Sequence, residues 1–158
     1  MTPANPVEAL PFARAMRESL WMYPIVEVIH IVGFVILVGS VLMFDLRILG
    51  LNKQISVRAL ARHLLPWSWA ALILIVPTGF LMFTAHANDF LGNRAFQLKM
   101  ALLMTAGINA IAFHTGPYQS VMAWDIGVPA PLVAKASVVA SVILWLGVIT
   151  CGRFLAYT

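Results

Sequence analysis

Glu27, His30 and Asp45 stand in the stretch VEVIHIVGFVILVGSVLMFDLR, residues 26–47, which is otherwise oily enough for lipid to surround. Ionisable side chains in such a segment are costly, which makes them candidates for chemistry. Three more histidines, His63, His86 and His114, and one lysine, Lys99, lie in or beside other apolar stretches. Two imidazoles at one level on facing helices clamp a haem iron. By depth, His30 and His86 fall towards one membrane face, side A, and His63 and His114 towards the other, side B. Four histidines in two levels would make a two-haem b-type cytochrome. The cofactor would move electrons between a membrane quinol and a partner protein, and the helices would supply ligands and a dry pocket.

The histidines are not equivalent. His63 and His86 are 23 residues apart, about 140° around an ideal helix and roughly 34 Å along it. They share a face only if Pro66 and Pro77 bend the span. His63 also reads as an interfacial residue beside Arg62, and His86 as a loop residue. His30 sits about one turn inside its span, one turn after Glu27. His114 ends a stripe formed by Lys99, Leu103, Ala106 and Ala110. Lys99 could pair with Glu27 or hold an anionic group such as a haem propionate. Glu27, His30 and His114 together offer a second possibility, a copper or zinc site in a metal-handling or transport protein. The Glu-x-x-His of EVIH lacks the second copy that a di-iron bundle needs. Cys151 is the lone cysteine, so no intrachain disulfide exists, and a small apolar residue in a helix is its plain reading. No nucleophile triad, phosphate loop or hydrolase acid pair is present.

The elements that must position these residues follow from composition. The 158 residues are 61% hydrophobic and 10% charged, with a mean hydropathy of +0.91. That is too little polar surface for a water-soluble globule. The net charge of +4 and pI near 9.7 come from basic residues that mostly flank apolar segments. Lipid headgroups, not nucleic acid, are therefore the expected partner.

Four segments can cross roughly 30 Å of hydrocarbon: residues 24–47, 62–84, 96–114 and 134–157. Backbone satisfaction in lipid makes them helices, and short connections make consecutive ones antiparallel. The expected fold is all-α: a single integral membrane domain over 1–158, an up-down four-helix bundle. PFARAMRESLWMYP adds an N-terminal amphipathic helix at the interface, ended by Pro24, and residues 1–24 lack the pattern of a cleaved signal peptide. Trp21, Tyr23 and Tyr157 form an aromatic belt on side A; Trp67, Trp69, Tyr118 and Trp124 form one on side B. Arg47, Lys53, Arg58 and Arg62 crowd the first loop, so loop 48–61 and side B are expected to face the cytoplasm.

Glu27 and Asp45 are 18 residues apart, as are Lys135 and Arg153. Eighteen residues is five turns, so each pair shares a helix face over about 27 Å. With the first and last spans antiparallel neighbours, two ion pairs are expected: Glu27 with Arg153 on side A, and Asp45 with Lys135 on side B. These pairs would turn His30 inward.

The ordered set ESLW, Glu27-x-x-His30, DLRILGL, LLPW, LKM, GIN…FH, WD and GRF resembles an uncharacterised family of small four-span bacterial membrane proteins. Glu27, His30, Asp45, Arg47, Lys99, Asn109, His114, Asp125 and Arg153 fall in those motifs; His63 and His86 do not. The resemblance implies a bacterial inner-membrane bundle and no particular activity. The first span, with its early histidine and the small residues Gly39 and Ser40, distantly resembles copper-resistance D proteins and HemJ-type protoporphyrinogen oxidases. HemJ-like proteins bind haem b through membrane histidines. The leading expectation is a b-type haem protein that transfers electrons, with quinone as a linked carrier. Metal handling is the alternative, and a structural or accessory subunit in a homo- or hetero-oligomer is the third.

Overall fold

In the computed structural model, which describes residues 6–155 and residue 157, helices α1 to α6 follow one another with two short 3-10 segments and no strand among the described residues. They are α1 (Pro11–Glu18), α2 (Met22–Leu49), α3 (Val57–Ala85), α4 (Ala87–Gly92), α5 (Arg94–Thr115) and α6 (Leu132–Phe154). α2, α3, α5 and α6 are each long and apolar enough to cross a membrane. The protein is an all-α, multi-pass membrane bundle.

Each span starts and stops for a local reason. α2 runs until Gly50, whose φ of 117° ends the helix in the left-handed region open to glycine. There the Gly50 N–H donates to the Arg47 carbonyl and the Leu51 N–H to the Leu46 carbonyl, closing the last turn. α3 begins at Val57, not Arg62, because Ser56 caps it: its hydroxyl accepts from the Ala59 N–H at 3.1 Å. Pro66 and Pro77 lie inside α3 without breaking it, so His63 stays on a continuous helix. Asn93 caps α5 by accepting from the N–H groups of Ala95 and Phe96 at 2.8 and 3.2 Å.

The N-terminal amphipathic helix stops earlier than expected. α1 ends at Glu18, and Pro24 sits in the first turn of α2, where a missing N–H removes no intrahelical bond. α1 docks on the side A end of α3, with Ala13 and Met16 buried, Phe12 against Phe80, and Arg17 donating to the terminal Ala85 carbonyl at 3.0 Å. Residues 1–5, 156 and 158 lie outside the described residues, including part of the expected domain limits and of the last span's end.

The spans pack as α2 on α3, α5 on α6, and α2 on α6, so the first and last spans are neighbours. Two cores result. Leu37, Val38, Ala71, Trp145 and Val148 fill the membrane centre. Ile48, Val57, Phe113, Val121, Trp124 and Ala134 fill side B. Trp124 is 3% exposed, so it is a core residue and not a belt residue. It is drawn in because the short 3-10 segment Pro117–Ala123 folds back over the bundle end, where Trp124 donates to the Ser120 hydroxyl.

Neither expected ion pair forms among the described residues, where the sole acid–base contact is His86 with Asp89 at 3.6 Å. Glu27 is exposed. Arg153 instead donates to the Tyr157 hydroxyl and stacks over its ring, 4.8 Å from the centroid. That partner lies one turn along, so no second helix must be ordered to reach it. Asp45 faces α6 but meets Ser141, six residues, or about 9 Å, beyond Lys135. Helical arithmetic assigned the faces; the axial offset of the two helices decided the partners.

Candidate functional site

His30 is where the four spans converge. From α2 its ring reaches the Pro77-Thr78-Gly79 segment of α3. Nδ1 lies 3.0 Å from the Thr78 hydroxyl oxygen. The Thr78 hydroxyl donates to the Leu74 carbonyl at 2.5 Å. Gly79 makes the approach feasible, since a Cβ there would stand 3.0 Å from His30 Cε1. This seat holds the imidazole through Nδ1, as outer partners orient metal-binding histidines.

On its other side the ring borders a cleft of about 210 Å³, lined by His30, Ile31 and Phe34 of α2, Lys99 of α5, and Val148, Ile149 and Gly152 of α6. Lys99 is half-buried and close enough to His30 to interact with it electrostatically. Among the described residues it has no carboxylate within ion-pair distance. Gly152 borders the ammonium: a Cβ there would lie 3.8 Å from Nζ, in ordinary van der Waals contact. The recess is thus apolar walls around one imidazole and one ammonium. It can take a ring with oxygen substituents, or an anion tethered to an apolar body.

The other candidate residues lie elsewhere. Glu27 is exposed and does not line the cleft. His86 sits between α3 and α4, its ring edge-on to Tyr23 at 5.7 Å and Phe90 at 6.5 Å. His63 is exposed. His114 is 15 residues from Lys99 on α5, about 22 Å away, so it belongs to side B. There its Nδ1 donates to the Ala110 carbonyl at 2.9 Å, and its buried Nε2 has no partner among the described residues. Glu27, His30 and His114 therefore make no common metal site, and among the described residues no three His, Cys, Asp or Glu side chains do. Nor does a second histidine line the cleft with His30.

Side B holds a second polar cluster. Arg47, 4% exposed, donates to the carbonyls of Ile55 at 2.6 Å and of Lys53 and Asp125 at 2.9 Å. The Asp125 carboxylate accepts from the Ser56 hydroxyl and the Arg58 N–H, each at 2.9 Å. Partial burial alone would raise its pKa. The Arg58 N–H, the Ser56 hydroxyl and the Arg58 charge outweigh that and hold it below the usual 3.8. All these bonds run within the fold, so this cluster pins loops. Asp45, 4% exposed, meets Ser141 of α6, and its Oδ2 has no hydrogen-bond partner among the described residues. Asn109 and Ser137 bond reciprocally between α5 and α6 at 2.9 Å, as expected of an amide facing a neighbouring helix.

Thr78 and Gly79 are the contacts of His30 that the sequence did not announce. The only signal was the Pro-Thr-Gly run inside a span, which reads first as a weak point in a helix.

No curated protein and no solved structure matches the chain. A family model described as a family of unknown function, DUF6644, matches residues 22–158, from the start of α2 to the C-terminus. The chain therefore belongs to family DUF6644, a family of unknown function.

Proposed function

We propose that this protein is a bacterial inner-membrane redox protein that binds the ring of a quinone or quinol between His30 and Lys99. One observation carries this: an apolar, lipid-level recess of about 210 Å³ that contains one imidazole and one ammonium with no carboxylate partner among the described residues. Pockets for drug-sized ligands run roughly 300–1,000 Å³, so this recess suits a single substituted ring. The quinone supplies the redox chemistry when bound. The chain binds the ring, orients it and excludes water, and a redox partner protein exchanges the electrons. The Lys99 charge disfavours a bare metal cation at His30, which weakens the metal-handling alternative. The crowd of Arg47, Lys53, Arg58 and Arg62 supports a cytoplasmic side B.

The hold of Thr78 on His30 favours a second reading, a b-type haem with His30 as axial ligand and Lys99 beside a propionate. The fit is incomplete, since the cleft offers one histidine and space for one ring. The similarity to HemJ-type proteins would belong to this reading.

The test is purification in lipid nanodiscs from a quinone-containing bacterium, followed by solvent extraction and an absorption spectrum. A quinone near one per chain, lost in His30→Ala and Lys99→Ala, is expected. A red protein with a reducible α-band would replace quinone by haem. A colourless protein that neither retains quinone nor binds a short-chain analogue would defeat both.

A further inference from the structure

The hydrogen bonds around His30 carry more than its position. Thr78 has one hydroxyl proton. The Leu74 carbonyl, 2.5 Å from the hydroxyl oxygen, can only accept, so that proton points to it. The Thr78 oxygen therefore faces His30 Nδ1 with a lone pair at 3.0 Å. The second carbonyl beside the Thr78 hydroxyl, Ile75 at 3.2 Å, likewise only accepts, so the threonine proton stays on the carbonyl side whichever of the two takes it. The Thr78 lone pair requires Nδ1 to carry the hydrogen. In the neutral ring Nε2 is then a bare lone pair. Gly79 stands close behind Cε1 and limits how the ring can turn.

His30 lines the cleft while its Nδ1 is held by Thr78, so Nε2 is the nitrogen left to meet a ligand and sets what the cleft recognises. A quinol presents an O–H, which Nε2 accepts. A quinone presents a carbonyl, and two lone pairs would face each other in a dry site. Lys99 does not discriminate, because its N–H groups serve a hydroxyl or a carbonyl oxygen equally. Resting on the assignment of the cleft to a quinone-type ring, we infer that the site is selective for the reduced, hydroxyl-bearing form, and that Thr78 is the positioning residue that sets this selectivity through the His30 tautomer. The protein is thus a quinol-binding site, and its ligand is the product of a quinone-reducing reaction elsewhere in the membrane.

One lost hydrogen bond with a stranded buried acceptor corresponds to a preference of about tenfold or more. The test uses the full chain in nanodiscs under anaerobic conditions. Long-range proton–nitrogen NMR of 15N-histidine-labelled protein reads the tautomer. Titration with a decyl-chain benzoquinol and its quinone reads the preference. Expected are His30 protonated on Nδ1, quinol bound at least about tenfold tighter than quinone, and a preference falling below about threefold in Thr78→Val. Thr78→Ser, which keeps the hydroxyl, should retain it. His30 protonated on Nε2, or equal affinity for the two forms in the unmodified protein, overturns the selectivity and leaves the cleft assignment standing. Binding of neither form by folded protein overturns the cleft assignment itself.

Discussion

At His30 a glycine sets how closely the ring can pack on α3. Gly79→Ala places a methyl group 3.0 Å from Cε1, so the ring must move into the cleft. Quinol affinity is expected to fall about tenfold, with a stability loss of about 1–2 kcal/mol. Gly39→Ala is the control: nothing lies within 4 Å of its added Cβ, and alanine is the better helix former by about 1 kcal/mol. Isothermal titration and thermal unfolding separate the two variants; equal affinities would refute the seat. Asp45 tests the absent ion pair. Asp45→Asn keeps a partner for Ser141 and has no charge to bury, so stability should hold or rise. Lys135→Ala should change it by less than about 0.5 kcal/mol. A joint loss removed by the double variant would restore the pair. His30 and Lys99 were legible because an ionisable type in an oily segment stands out. Thr78 and Gly79 were not, because a hydroxyl that bonds its own helix and a glycine that admits a ring from another look like neutral filler.

The helices themselves were readable from length and hydropathy, since lipid leaves the backbone no alternative. Their faces were less so. α2 is apolar nearly all round, with mostly exposed positions from Ile25 to Val35, so periodicity cannot distinguish lipid from neighbour. The side B loops are where sequence motifs become structure: Arg47 of DLRILGL and Asp125 of WD meet although 78 residues apart. Arg47→Leu strands three carbonyls and should cost about 3 kcal/mol, seen as a lowered melting temperature. Asp125 gives a pH signature. Its folded pKa lies below the usual 3.8, so the native state binds fewer protons than the unfolded chain. Its contribution is complete above that value and is lost as pH falls from about 4 through the folded pKa. Unfolding curves of the protein and of Asp125→Ala should therefore converge in acid and separate near neutrality. A constant gap across that range would show that the carboxylate charge does no capping.

Seen as a whole, the molecule is two packed pairs, α2 with α3 and α5 with α6, joined along α2 and α6. The cleft sits on that seam: His30 comes from one pair, while Lys99, Val148 and Gly152 come from the other. A bound ring would therefore tie the halves together. The seam's central contact is Phe34 against Trp145, edge to face at 6.1 Å. Phe34 lines the cleft and Trp145 does not. Trp145→Ala should cost about 3 kcal/mol through the void it leaves. It should also weaken quinol binding without touching the ligand, because Phe34 loses its support. Ligand at 100 times Kd adds about 2.7 kcal/mol to a protein that binds it only when folded. Thermal unfolding with and without decyl-benzoquinol should therefore show a large shift in the unmodified protein and a smaller one in Trp145→Ala at the same ligand concentration. An undiminished shift would mean that the ligand is held by one helix pair alone, and the seam would lose its functional role.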